Sequence, residues 1–138
     1  MTLVVDASVA AKWFIEEAGR AQAIRLLDVT DRQAPDLLLV EVANVVWKKA
    51  LRGEVSETQA GFICASIAHC FDVLHSSDSL IERAIVVAID LQHPVYDCLY
   101  LACAERAGAR LATADRRLIA AVKGSAFAAL VLDVDDFA

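Results

Sequence analysis

Asp97 is the only charged residue in the run Pro94-Val-Tyr-Asp-Cys-Leu-Tyr-Leu-Ala-Cys-Ala104. That run reads as a helix entering a core, where an ionised carboxylate needs a partner. Asp6 closes the apolar run Leu3-Val4-Val5, and Asp115 closes the mostly apolar stretch Leu111-Ala112-Thr113-Ala114. Three carboxylates in or beside apolar segments, far apart along the chain, point to one shared charge sink in space. The simplest such sink is a divalent cation, because carboxylate oxygens are hard ligands suited to Mg²⁺ or Mn²⁺.

Glu41 adds a fourth acid. On a helix, Asn44, Lys48 and Arg52 fall within about 60° of it. Apart from Asp36 and Lys49, the rest of that segment is Leu, Val, Ala and Trp47. A narrow polar stripe on an apolar helix faces solvent or a polar crevice. Here it sets a carboxylate, an amide and two cations in line, fit to hold a metal at one end and a phosphate backbone beyond. Each residue also has a plain structural reading. Asp6 and Asp115 can cap helices, Glu41 can be solvated, and Asn44 can face solvent or orient Glu41. The first helical turn eases the charge of Asp97. Hydroxyls such as Ser8 and Thr113 often bond only to backbone. The chemistry rests on the joint pattern.

The elements that would position these groups follow from the pattern along the chain. Residues 2–5 are largely β-branched, a buried strand. A helix opens at Asp6-Ala-Ser8 and runs to Ile15, broken at Glu16-Glu17-Ala-Gly19. A second helical segment covers 20–28 with Ala23, Ile24 and Leu27 on one face. A short strand at 32–34 precedes Pro35. A strong helix spans 36–51 and stops at Gly53. Ser56-x-x-Gln59 resembles a capping box for a helix to Cys70. A strand at 72–75 leads to a helix over 79–91 whose apolar stripe is Ile81, Ala84, Ile85, Ala88 and Ile89. Pro94 suits the first turn of the next helix, which ends at Gly108. Strands at 110–113 and 129–132 flank a helix at 116–122, and the acidic tail 133–136 looks solvated. Apolar strands separated by helices imply a mainly parallel sheet covered on both faces. In such α/β folds the ligand crevice lies beyond the carboxyl ends of the strands, where Asp6 and Asp115 fall.

Composition bounds the answer. The 138 residues suit one domain. The chain is 58% hydrophobic with mean hydropathy +0.50, yet no uninterrupted apolar stretch reaches the roughly 18 residues of a membrane helix. The N-terminus lacks the basic segment and cleavage site of a signal peptide, and a cytoplasmic protein with no membrane partner is expected. Cys64, Cys70, Cys98 and Cys103 form no Cys-x-x-Cys pair, and His69, His75 and His93 show no ligand spacing with them. Buried, reduced thiols are therefore expected rather than a zinc site. The net charge of −6 counts mildly against a polyanionic substrate. A pocket of carboxylates with bound cations, and the basic clusters Lys48-Lys49-Ala-Leu-Arg52 and Arg116-Arg117, soften that objection.

Four motifs in register carry a resemblance: Val4-Val5-Asp6-Ala-Ser8, Pro35-x5-Glu41-x2-Asn44, Tyr96-Asp97-Cys-Leu-Tyr100-x-Ala102, and Thr113-Ala-Asp115-Arg-Arg-Leu118. Together they resemble PIN-domain proteins, most closely VapC-type toxins of bacterial toxin–antitoxin pairs, over roughly residues 3 to 134. The resemblance implies one PIN domain over 1–138, a three-layer α/β/α fold with a parallel sheet of order 3-2-1-4-5. It implies an Mg²⁺- or Mn²⁺-dependent endoribonuclease in which Asp6, Glu41, Asp97 and Asp115 are the catalytic, metal-holding quartet. Ser8 and Thr113 match the hydroxyls beside that quartet, with Asn44 in support. Water activated at the metal would leave a 5′-phosphate and a 3′-hydroxyl. Lys12, Lys48, Lys49, Arg52 and Arg116 are the candidates for touching RNA. The implied partners are an RNA substrate and a VapB-like antitoxin whose helical tail covers the site, reaching the carboxylates with an arginine. A second copy would pack through helices 20–28 and 56–70.

Rival classes fit less well. A phosphoacceptor receiver domain needs an acidic pair after the first strand, and here Ala7 follows Asp6. A dinucleotide-binding domain needs a glycine-rich turn that Asp6-Ala-Ser-Val lacks. A PIN fold that binds partners without turnover is a further alternative, and the intact quartet argues against it. A PIN nuclease of RNA processing, unpaired with any antitoxin, remains the alternative within the class.

Overall fold

The computed structural model describes residues 1–137. Five strands form one parallel sheet: β1 (Thr2–Val5), β2 (Asp31–Pro35), β3 (Val73–His75), β4 (Arg110–Thr113) and β5 (Val131–Asp133), in the order β3-β2-β1-β4-β5. This is the expected α/β/α architecture. The helices are α1 (Ala7–Ala10), α2 (Arg20–Arg25), α3 (Leu37–Leu51), α4 (Glu57–Ser66), α5 (Ser77–Leu91), α6 (Val95–Ala107) and α7 (Arg116–Val122). Val4, Val5, Leu111 and Ala112 are fully buried, as a strand covered on both faces requires.

α6 is the centre of the core. Every residue from Cys98 to Ala104 is buried, because the helix lies on β1, β2 and β4 and is itself covered by α5. Gly108, at φ 62°, ends it in the left-handed conformation that glycine adopts without strain. The capping box is formed: Ser56 accepts from the Gln59 amide and the Gln59 side chain accepts from the Ser56 amide.

Register places the site. Val5 lies opposite Ala112, so Asp6, one residue on, comes level with Thr113. β1 and β4 are neighbours at the point where the strand order reverses, the crevice position of open parallel sheets.

Several expected faces are corrected. On α5 the buried residues are Leu80, Ala84, Val87 and Ala88, while Ile81, Ile85 and Ile89 are exposed. The helix carries two apolar stripes, and the one with small alanines lets α6 approach closely. The 20–28 segment tightens into a 3₁₀ turn at Leu26–Asp28, which turns Leu26 inward and leaves Ile24 and Leu27 partly exposed. The first helix likewise ends as α at Ala10 and continues as 3₁₀ to Trp13. In the acidic tail Asp135 and Asp136 are exposed as expected, whereas Asp133 accepts from Arg116 and Val134 is buried. Cys98 and Cys103 are buried, but Cys64 is exposed.

Candidate active site

Four segments deliver the four acids to one place. Asp6 follows β1, Glu41 is on the second turn of α3, Asp97 is in the first turn of α6, and Asp115 follows β4. All four line a single crevice of about 470 Å³, with Ser8 and Asn44 beside them.

Asp6 is the deepest, 5% exposed. Its Oδ1 accepts from the Ser8 hydroxyl at 2.6 Å and the Val9 amide at 3.2 Å, and its Oδ2 accepts from the Thr113 hydroxyl. The same two hydroxyls accept from the far side, Ser8 from the Ala114 amide and Thr113 from the Asp115 amide, both at 3.0 Å. Ser8 and Thr113 thus stitch the end of β1 to the end of β4. Burial pushes the Asp6 carboxyl up to about 7, against the hydrogen bonds from Ser8, Thr113 and Val9, and the charge of Asp97 adds to the rise.

Glu41 is half-buried and accepts from the Tyr100 hydroxyl at 2.5 Å. Burial raises its carboxyl above the usual range. The Tyr100 bond opposes that rise, and the charges of Asp97 and Asp115 add to it. Tyr100 is 1% exposed, and burial followed by the Glu41 charge drives its own ionisation far up, so it stays a donor. Asp97 Oδ2 pairs with His93 Nε2 at 2.6 Å. Asp115 caps α7 through Oδ1, which accepts from the amides of Arg117 at 2.9 Å and Leu118 at 3.4 Å. Both expected capping roles, of Asp6 and Asp115, therefore coexist with convergence on the crevice.

The donor set suits a hard divalent cation. Glu41, Asp97 and Asp115 each hold one carboxylate oxygen on a protein donor, and four acids in one crevice need positive charge between them. Their side chains do not close into a preassembled ligand cluster: among the described residues no three His, Cys, Asp or Glu groups are so arranged. Asp6, Glu41 and Asp97 are each tied to a separate anchor, Thr113, Tyr100 and His93. A magnesium ion keeps several of its waters, so a looser cradle still accommodates it.

Sequence reasoning missed two of those anchors. Tyr100 stands in the sequence as part of the apolar run and motif around Asp97, and its bond to Glu41 spans 59 residues. His93 has no ligand spacing with the cysteines, but its spacing of four from Asp97 is a readable signal for this pair. Asn44 lines the crevice and is exposed.

The five candidate cations separate. Lys12 Nζ donates to Glu17 at 3.0 Å and to the Ala18 carbonyl at 2.8 Å, and Lys49 Nζ reaches Glu17 at 3.1 Å. Burial works to raise the Glu17 carboxyl, but the two lysines outweigh it and hold it below the usual value. Arg116 forms a two-pronged bond to Asp133 at 2.6 and 2.7 Å. Lys48 and Arg52 are exposed. None of the five lines the crevice.

A parallel sheet of this order with an acidic crevice at its switch point is the architecture of the PIN domain, and a family model of the PIN domain matches residues 3–124. The chain belongs to the PIN-domain family. Among its relatives, Ribonuclease VapC3 of Pyrobaculum aerophilum is 36% identical over 121 residues, covering 86% of this chain and 92% of that one. Ribonuclease VapC1 of Mycobacterium tuberculosis is 32% identical over 121 residues, covering 86% and 89%. The crystal structure of PAE2754 from Pyrobaculum aerophilum matches with TM-score 0.69 at 26% identity over 98% of this chain and 90% of that one. A toxin–antitoxin complex from Klebsiella pneumoniae has a chain of the same fold, with TM-score 0.64 at 14% identity over 96% and 97%.

Proposed function

We propose that this chain, acting as one PIN domain, is a divalent-metal-dependent endoribonuclease and the toxin of a VapBC-like pair. The observation that carries the reading is the convergence of Asp6, Glu41, Asp97 and Asp115, from four separate segments, on one crevice. The names of its VapC relatives support the ribonuclease part.

Asp6 and Asp97 would hold Mg²⁺ or Mn²⁺ directly, with Glu41 and Asp115 acting through water. When bound, the ion would supply an acidified water and polarise the scissile phosphodiester. The chain's own residues do the rest. Ser8 and Thr113 fix the Asp6 carboxylate between two strand ends. Tyr100 aims Glu41. His93 holds Asp97 at the mouth of α6. Lys48 and Arg52, on the exposed side of α3, attract the RNA backbone as it approaches.

The proposed partners follow from the surface. An antitoxin segment with an arginine would neutralise the acidic crevice. A second copy of the chain would cover apolar side chains left in water, Ile24 and Leu27 of the 20–28 segment and Phe62 of α4, with Ile81, Ile85 and Ile89 of α5 as the other exposed apolar stripe. No helix of the described residues is long and apolar enough to cross a membrane, and the proposed site of action is the cytoplasm, where RNA is.

The test is controlled expression of the wild-type chain and Asp97→Asn in a bacterium, with RNA cleavage measured alongside in Mg²⁺, Mn²⁺ and EDTA. Growth arrest and divalent-dependent cleavage that both need Asp97 are expected. Cleavage without arrest points to an RNA-processing enzyme. Cleavage retained by purified Asp97→Asn defeats the proposed site.

A further inference from the structure

The crevice that gathers the acids has a second, apolar character. Its rim is built from Leu37, Val40, Val45 and Tyr96, and among the described residues no lysine or arginine lines it. Val40 is 68% and Tyr96 60% exposed, so large apolar surface is left in water at its mouth. Tyr96 and Tyr100 are four residues apart on α6 and share one face. Tyr100 is the inner of the two, buried on Glu41, and Tyr96 is the outer one, beside Asp97.

An RNA strand brought to these carboxylates meets their charge, and among the residues that line the crevice none is a cation; Lys48 and Arg52 lie farther along α3. Lys12, Lys49 and Arg116 are spent on Glu17 and Asp133. The rim carries instead an exposed aromatic ring, Tyr96, together with aliphatic side chains. Proteins hold unpaired bases on such surfaces, whereas a base inside a duplex has its faces covered by its neighbours.

We propose that Tyr96 is the stacking platform for one unpaired base next to the scissile phosphate. This rests on the nuclease reading above and adds to it the residue that grips the substrate. Tyr96 holds the base, Val40 and Leu37 flank it, and the adjacent Asp97 stands beside the phosphate that follows.

The test is direct binding of a fluorescein-labelled single-stranded RNA of about twelve nucleotides, with Ca²⁺ as the divalent ion, to the wild-type chain, Y96A, Y96F and Y96W. A parallel set of RNAs each lacks the base at one position. Y96A should weaken binding about tenfold, while Y96F and Y96W stay within about threefold of wild type. Removing the base at one position should weaken wild type to the same degree and leave Y96A unchanged, since the two losses are one contact. Y96A should melt as wild type does, because the side chain is exposed.

Equal RNA binding by wild type and Y96A overturns the platform. So does a Y96A loss that no missing base reproduces. So does a Y96A chain that binds RNA normally but fails to bind the antitoxin or a second copy, which would make Tyr96 a protein contact. Absence of any RNA binding by wild type overturns it too. Cleavage in Mg²⁺ is scored separately: base-coupled binding without cleavage keeps the platform and removes the nuclease.

Discussion

Relative to wild type, Asp6→Asn should gain stability in the metal-free protein between pH 5 and pH 8. Folding raises the Asp6 carboxyl from 3.8 to about 7 by burying it. Between those values the folded chain keeps a proton that the unfolded chain has lost, so stability falls as pH rises and levels off above about 7. At about 1.36 kcal/mol per pH unit, wild type loses about 3 kcal/mol between pH 5 and pH 8 that Asp6→Asn does not lose. The asparagine also leaves the Thr113 hydroxyl without its acceptor, a cost of about 1–2 kcal/mol at both pH values, so it cancels from the difference. The assay is urea denaturation of both proteins in EDTA across that pH range. Saturating Mg²⁺ at pH 8 should then restore wild type by about 2.7 kcal/mol at a hundredfold excess over its Kd, and Asp6→Asn much less. Parallel pH profiles for the two proteins, or equal rescue by Mg²⁺, would refute the claim that a buried Asp6 charge waits for a cation.

Three further expectations follow from the same geometry. Tyr100→Phe removes the donor to Glu41 and should cost about 1–2 kcal/mol at pH 8, less at pH 5 where the raised Glu41 carboxyl is closer to neutral; denaturation at the two pH values checks it. His93→Ala should weaken divalent-ion binding about 10- to 100-fold, as loss of an outer-sphere partner does, and His93→Gln should recover part of it; titration calorimetry with Mn²⁺ reads both. Lys48→Glu with Arg52→Glu should slow RNA cleavage most at low salt, with the difference shrinking as salt rises, whereas Lys49→Glu should act through stability because Lys49 is tied to Glu17.

Much of the architecture was legible along the chain because it is local. Val4 and Val5 need two covered faces, and a strand ending in Asp6 that caps the next helix shows in six residues. The uninterrupted burial of α6 shows in the run around Asp97. The capping box at Ser56 and the stop at Gly108 are likewise one-turn decisions. The acidic quartet was legible too, since an acid among apolar neighbours must be explained wherever the chain folds.

Tertiary structure alone decided which partner each acid has. Thr113 meets Asp6 across 107 residues, and Tyr100 meets Glu41 across 59, so neither contact leaves a trace in local spacing. The same holds for charge: Lys12 and Lys49 resemble free cations until Glu17 binds both, and Arg116 until Asp133 does. On α5 periodicity set Ala84 and Ala88 in one stripe with Ile81, Ile85 and Ile89, and packing against α6 buried the two alanines with Leu80 and Val87 instead. Short-range patterns say what a segment needs, a covered face or a charge partner, whereas long-range packing determines which group supplies it.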